Sequence, residues 1–190
     1  MKVGVLALQG AFRAHIEKLH ELGVDTAEVR QPGHLDEVDA LVMPGGESTT
    51  MSMLLESSEL FEPLSARIAD GMAVFGTCAG LILLSSNIED GRDDQRSFDR
   101  LDISVQRNGY GRQIESFETA LETTITDDPV HAVFIRAPRI LRVGDGVEVL
   151  AESRGDAVLV RSGNALGASF HPELATDTRI HQLFLESITS

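Results

Sequence analysis

The first third of the chain alternates short apolar runs with amphipathic stretches. Residues 3–8 are apolar throughout and stop at Gln9-Gly10, the pattern of a strand covered on both faces of a parallel sheet. Behind them Phe12, Ile16, Leu19 and Leu22 recur at helical spacing, with Arg13, Glu17, Lys18 and Glu21 between them and Gly23 where a helix would close. Residues 27–30 and 40–43 read as the next two strands. The second ends at Pro44-Gly-Gly46, and Ser48 stands as the cap of a helix over 49–55. A helix over 59–70, ended by Gly71, delivers the chain to an apolar strand at 73–75, the turn Gly76-Thr-Cys-Ala-Gly80 and a helix starting at 81–84. Strands and helices alternating at this spacing predict right-handed βαβ units in an open parallel sheet, with ligands at the carboxyl ends of the strands.

The pattern then changes. Residues 87–102 crowd acidic and Arg side chains among few apolar ones, which predicts an exposed surface loop. Beyond them the chain becomes β-rich, with short strands expected at 117–121, 132–135, 147–151, 158–161 and 165–170 between Gly and Asp turns. A last helix begins near residue 178 and carries Ile180, Leu183, Phe184 and Ile188 on one face. No repeat, low-complexity tract or linker interrupts residues 1–190, so a single α/β domain is expected.

Composition narrows the function. With 42% hydrophobic and 24% charged residues, the chain has enough apolar content for a core and is neither disordered nor fibrous. Thirty acidic against sixteen basic residues give a net charge of −14, which disfavours nucleic acid and anionic membranes as partners. Lys2 and Lys18 are the only lysines, and an acidic, Lys-poor surface fits a salt-rich cytoplasm in which ions screen self-repulsion. One cysteine excludes an internal disulfide framework, and no Cys or His spacing suits a metal site. Residues 3–8 are too short for a signal peptide and no apolar run reaches 18, so a cytoplasmic location is expected.

Three segments carry candidate chemistry. Cys78, flanked by glycines between a strand and a helix, has the context of a nucleophile elbow, and a helix amino terminus favours a thiolate. The same residues also fit a small buried side chain among flexible glycines. His171-Pro-Glu173 follows a strand and supplies a base with an acceptor to orient it, although alone it also fits a solvated turn. The remaining histidines, His15, His20, His34, His131 and His181, have no such partner and read as surface or helix-face residues. The glycines of Pro44-Gly-Gly-Glu-Ser48 leave backbone N–H groups open to a developing oxyanion. Arg107 and Arg112 stand among glycines and suit a carboxylate, although the same segment also fits a mobile surface turn. Arg136 ends an apolar strand, where a structural ion pair is the default and an anionic substrate group the alternative.

Gly45-Gly-Glu-Ser, Gly76-Thr-Cys-Ala-Gly and Phe170-His-Pro-Glu, in that order, resemble the class I, triad-type glutamine amidotransferases. Residues 4–10, 44–51 and 75–82, Arg107-Asn with Gly111-Arg-Gln113, Ser116-Phe-Glu118 and residues 133–138 are more specific. They resemble the glutaminase subunit of pyridoxal 5'-phosphate synthase over nearly the whole chain. Tyr110 departs from the family's usual Phe. The resemblance implies a flavodoxin-like three-layer sandwich with a central, mostly parallel sheet, and hydrolysis of L-glutamine to L-glutamate and ammonia. Cys78 matches the nucleophile and His171 with Glu173 the charge-relay pair. Gly46, Glu47, Ser48, Arg107, Ile135 and Arg136 match glutamine-binding positions, and the N–H groups of Gly46 and Ala79 the oxyanion hole. It further implies a partner synthase barrel in a large hetero-oligomer, with pyridoxal phosphate as the pathway's product and no cofactor or metal on this subunit. Two rival readings are a glutaminase subunit for another synthase, as in histidine biosynthesis, and a non-catalytic redox-sensing or interaction protein on the same sheet.

Overall fold

The computed structural model describes residues 1–107 and 116–188. The alternating half runs β1 (Lys2–Leu6), α1 (Phe12–Glu21), β2 (Asp25–Val29), β3 (Ala40–Met43), α2 (Ser48–Ser57), α3 (Phe61–Ala69), β4 (Ala73–Thr77) and α4 (Ala79–Leu84). The β-rich half continues with β5 (Ser85–Ile88), β6 (Leu101–Gln106), β7 (Ser116–Leu121), β8 (Val130–Ile135), β9 (Arg139–Val143), β10 (Glu148–Ser153), β11 (Asp156–Ser162) and β12 (Ala165–Ala168). The helix α5 (Arg179–Ile188) follows.

Five strands, in the order β2, β1, β3, β4 and β12, run parallel, and β11 and β10 extend the same sheet antiparallel beyond β12. That parallel order is the flavodoxin-like one expected of the chain. The continuous apolar runs of β1, β3 and β4 are explained by burial on both faces. Val3, Val5, Val42 and Phe75 point to one side, where α1, α5 and the β7–β8 hairpin pack with Leu19, Phe184 and Phe134. Leu6, Leu41, Met43 and Val74 point to the other, against Met51, Leu55, Leu64 and Leu81 of α2, α3 and α4. No helix among the described residues is long and apolar enough to cross a membrane.

Residues 87–102 are not simply a surface loop. Their ends enter β5 and β6, which pair parallel, and β9 joins β6 antiparallel in a second, three-stranded sheet. Phe98 is buried and stacks on Phe61 of α3, with ring centroids 4.6 Å apart. This pairs two apolar residues that the charged stretch around Phe98 had hidden.

Candidate functional site

Four chain crossings end at the same edge of the sheet: the loops after β1, β3, β4 and β12. After β4 the chain turns abruptly at Cys78, which has φ 50° and ψ −102° and stands as the residue before α4. A non-glycine residue adopts such a conformation only where its surroundings force it. Two close approaches do so here. A β-carbon on Gly80 would fall 2.1 Å from the Met43 carbonyl oxygen, and one on Gly76 would fall 2.5 Å from the Gly80 carbonyl carbon. Both glycines of the elbow are therefore set by backbone packed against backbone.

His171 lies beyond β12. The position a β-carbon on Gly45 would take is 2.4 Å from His171 Cε1 and 3.4 Å from Cys78 Cβ, so histidine, cysteine and the Gly45-Gly46 loop crowd one point. His171 Nδ1 donates to Glu173 Oε1 over 2.8 Å, and both side chains are nearly or wholly buried. The pair does not rely on an extended His-Pro-Glu segment, because Pro172–Leu174 is a 3-10 turn that folds Glu173 back beneath the ring. Burial alone would lower the His171 pKa, but the Cys78 thiol and the Glu173 carboxylate outweigh it and push it up to about 10. Glu173 is held below the usual carboxylate range: burial opposes its charge, while His15, His171 and a backbone N–H favour it.

A pocket of ≈ 330 Å³ opens over these groups, lined by Gly46, Glu47, Ser48, Cys78, Ile82, Arg107, Ile135, Arg136 and His171. It gathers all six sequence-derived substrate positions around the cysteine and histidine. Ala79 is buried directly behind Cys78 as the first residue of α4, where backbone N–H groups have no partner within the helix. Arg136 has φ 47° and, among the described residues, makes no ion pair, so the structural salt bridge expected by default is not found. Asn108, Tyr110, Gly111, Arg112 and Gln113, named from the sequence, lie outside the described residues.

The helix cap differs from expectation. Glu47, not Ser48, caps α2: its carboxylate accepts from Thr49 N at 3.1 Å and Thr50 N at 2.7 Å. Burial is the largest single influence on its pKa and raises it, but the Thr50 and Thr49 hydrogen bonds and the Arg107 charge together outweigh burial and lower it to about 2. The longer side chain reaches back over the first turn, and that frees the Ser48 hydroxyl to accept from Gln95 Nε2 at 3.1 Å. Gln95 Oε1 in turn accepts from Arg107 Nη1 at 3.2 Å and from Thr49 Oγ1 at 3.3 Å, while Arg107 Nη2 donates to Glu47 Oε1 at 3.0 Å. The acidic segment thus sends one neutral side chain to brace Ser48 and Arg107 from behind the pocket lining. On the other flank Gln9 Nε2 donates to the Glu47 carbonyl at 2.9 Å, and Ala11 N donates to the Gly45 carbonyl at 3.2 Å, so the loop after β1 braces the loop after β3.

Two histidines depart from the sequence reading. His15 and His181 do stand on helix faces, but both are fully buried and partner each other, whereas His20 and His131 are exposed as expected. A signal existed. His15 lies on the stripe of Phe12, Ile16 and Leu19, and His181 lies three, four and seven residues before Phe184, Leu185 and Ile188.

A crystal structure of a glutamine amidotransferase shares 48% identity with the chain, covers 99% of both chains and matches it with a TM-score of 0.93. The class of the protein is therefore that of the glutamine amidotransferases. A family model matches residues 5–190, and the chain belongs to the SNO glutamine amidotransferase family. Proteins named pyridoxal 5'-phosphate synthase subunit PdxT are similar over essentially the whole chain. The one from a Parafrankia strain is 54% identical, covering 100% of this chain and 94% of its own. That from Thermotoga neapolitana is 52% identical, covering 99% of this chain and 100% of its own. The structure of PurLQS from Thermotoga maritima, 15% identical with a TM-score of 0.70 over 97% of each chain, shares the fold alone.

Proposed function

We propose that the chain is the glutamine-hydrolysing subunit of a pyridoxal 5'-phosphate synthase, acting through Cys78, His171 and Glu173. The observation that carries this reading is the lining of one pocket by the elbow cysteine, the His171 ring and the Gly46–Ser48 loop, with Glu173 buried behind the ring. Glutamine lies with its side-chain amide over Cys78 and its α-carboxylate toward Arg136, whose guanidinium is otherwise without an ion pair among the described residues. The Cys78 thiolate attacks the amide carbon, and the oxygen of the tetrahedral intermediate is held by the N–H groups of Gly46 and Ala79. His171, which keeps its proton through neutral pH, passes it to the departing nitrogen, and ammonia leaves a glutamyl thioester. Water, losing a proton to the same ring, then releases glutamate and restores the thiolate–imidazolium pair.

Ammonia freed into bulk water would be protonated and diluted, so delivery to a docked synthase barrel completes the reading. The partner is supported by the names of relatives that match over the full chain. The test is glutamate release from L-glutamine by the purified chain, alone and with a synthase barrel subunit. Hydrolysis stimulated by the partner and abolished in Cys78→Ala, with glutamine binding retained, is the expected result. Turnover surviving in Cys78→Ala would refute the nucleophile, and partner-independent turnover would reopen the identity of the synthase.

A further inference from the structure

The chain of polar contacts behind the pocket does not end at Glu173. Its second oxygen, Oε2, is buried without a hydrogen-bond partner of good geometry among the described residues, but it lies 3.4 Å from His15 Nε2 on α1. The same nitrogen is 3.1 Å from Thr77 Oγ1, the residue before the nucleophile. His15 Nδ1 is 2.9 Å from His181 Nε2 on α5, and His181 Nδ1, also buried, has no partner among the described residues. Both rings are otherwise enclosed by apolar groups, including Phe75, whose ring meets them edge-on at 6.2 and 5.7 Å. Two imidazoles buried in a hydrophobic layer are costly unless their nitrogens are hydrogen-bonded, and here one nitrogen is left over. The proposed hydrolysis uses neither of them.

The tautomers follow from the contacts. Each ring of a neutral pair has one N–H and one lone pair to place. If His15 carried its proton on Nδ1, it would turn a lone pair toward the Glu173 carboxylate and leave His181 Nδ1–H as an orphaned buried donor. The opposite choice puts His15 Nε2–H between Glu173 Oε2 and Thr77 Oγ1, and lets His15 Nδ1 accept from His181 Nε2–H. Only a lone pair on His181 Nδ1 then goes unused. Neutrality of both rings is favoured by burial, which holds each below the ordinary imidazole range.

We propose that His15, oriented by His181, is a positioning residue for the triad: a neutral imidazole that presents Nε2–H to the free oxygen of Glu173 and so aims Oε1 at His171. The proposal rests on the triad reading above. Its physical content is that a buried carboxylate with one oxygen unsatisfied is prone to rotate or to take up a proton. A donor at Oε2 prevents both and leaves Oε1 in the plane that His171 Nδ1–H needs. The ionisable groups around Glu173 are His171 from its own segment and His15 from α1. His181 of α5 stands behind His15, Lys18 beyond that is paired with Glu21, and Cys78 faces His171 from the elbow. Through Thr77 the same histidine also touches the strand that presents the nucleophile.

The test is a pair of variants in the complex with the synthase barrel, read by glutamate release against pH. His15→Leu removes the donor. It is expected to lower kcat about tenfold or more with KM for glutamine unchanged, and to move the acid limb of kcat/KM upward by about one pH unit, because the unsupported carboxylate takes a proton more readily. His15→Gln, which keeps an N–H near the Nε2 position, is expected to recover most of the rate and return the limb. A His15→Leu enzyme with the wild-type acid limb would overturn the proposal, since a merely structural role changes the amount of active protein and not its titration. The tautomers are read independently of any variant, from ring-nitrogen shifts of the 15N-histidine-labelled full chain. Nε2–H on His15 and His181 supports the proposal and Nδ1–H on His15 sinks it, even if His15→Leu fails to fold. A wild-type complex that releases no glutamate would bring down the triad reading itself, whereas an active wild type with an unshifted His15→Leu profile removes this inference alone.

Discussion

Cys78 sits at φ 50° between a strand whose residues are all buried and a six-residue helix that is buried along its whole length, and that setting explains how one side chain is turned toward the pocket. The strain cannot relax, because Gly76 and Gly80 already let backbone pass where any side chain would collide. Backbone strain of this kind costs about 1–3 kcal/mol. Replacing the cysteine with glycine should return part of it, whereas alanine keeps the penalty. Cys78→Gly is therefore expected to be more stable than Cys78→Ala by about 1 kcal/mol in urea denaturation, opposite to the usual order of the two residues. If alanine proves the more stable, the elbow is not strained. Arg136, with φ 47° at the end of β8, is a second non-glycine residue in the left-handed region on the same pocket, consistent with side chains aimed there at some backbone cost.

At the scale of elements, the site is made by loops that strands deliver to one edge, and α2 shows how a loop residue can serve helix and pocket together. Glu47 caps α2 and carries Arg107 on the same carboxylate. An N-cap removed costs about 1 kcal/mol. The carboxyl is depressed from 4.5 to about 2, so its stabilisation is complete above the unfolded value and disappears as pH falls through the folded one. Glu47→Ala should thus lose about 1 kcal/mol at pH 7 by urea titration, with the gap to wild type narrowing between pH 4.5 and 2. Half of the Glu47 side chain is exposed, so solvent screening keeps the effect near the helix-cap magnitude rather than the larger value its titration alone would suggest. A gap that stayed constant across that range would show that the charge contributes nothing.

The same scale shows what the sequence reveals and why. The parallel strands β1, β3 and β4 are continuous apolar runs because helices cover both faces, and their carboxyl ends carry the motifs that name the cysteine, the histidine and the glycine loop. β5 and β9 are hidden for the converse reason. Ser85–Ile88 and Arg139–Val143 sit in a small sheet with solvent on one side, and their short mixed pattern is fixed by pairing with β6, not by their own residues. Gln95 and the two buried histidines escape detection because their meaning depends on contacts across 47, 62 and 166 positions of sequence. Only the apolar stripes around His15 and His181 hint at burial.

For the whole molecule the decisive quantity is charge. Ion pairs occupy several of the basic residues, with Arg96 joining Glu56 and Glu62, Arg142 joining Asp102 and Arg161 joining Glu148. Sixteen bases cannot neutralise thirty acids, so a net −14 is spread over a surface of 8552 Å². Two opposing salt effects follow. Screening weakens the exposed ion pairs, each worth at most about 1 kcal/mol, and it also relieves repulsion among the unmatched carboxylates. The Debye length falls from about 10 Å at 0.1 M to about 3 Å at 1 M, so the longer-range repulsion is lost before contacts at 3 Å are. Repulsion should dominate the response, and Tm is expected to rise with potassium chloride over this range, by about 2–4 °C for each kcal/mol of repulsion removed. A Tm that falls or stays level would mean that the ion pairs outweigh the excess acid, and the Lys-poor, acidic surface would then carry no adaptation to salt.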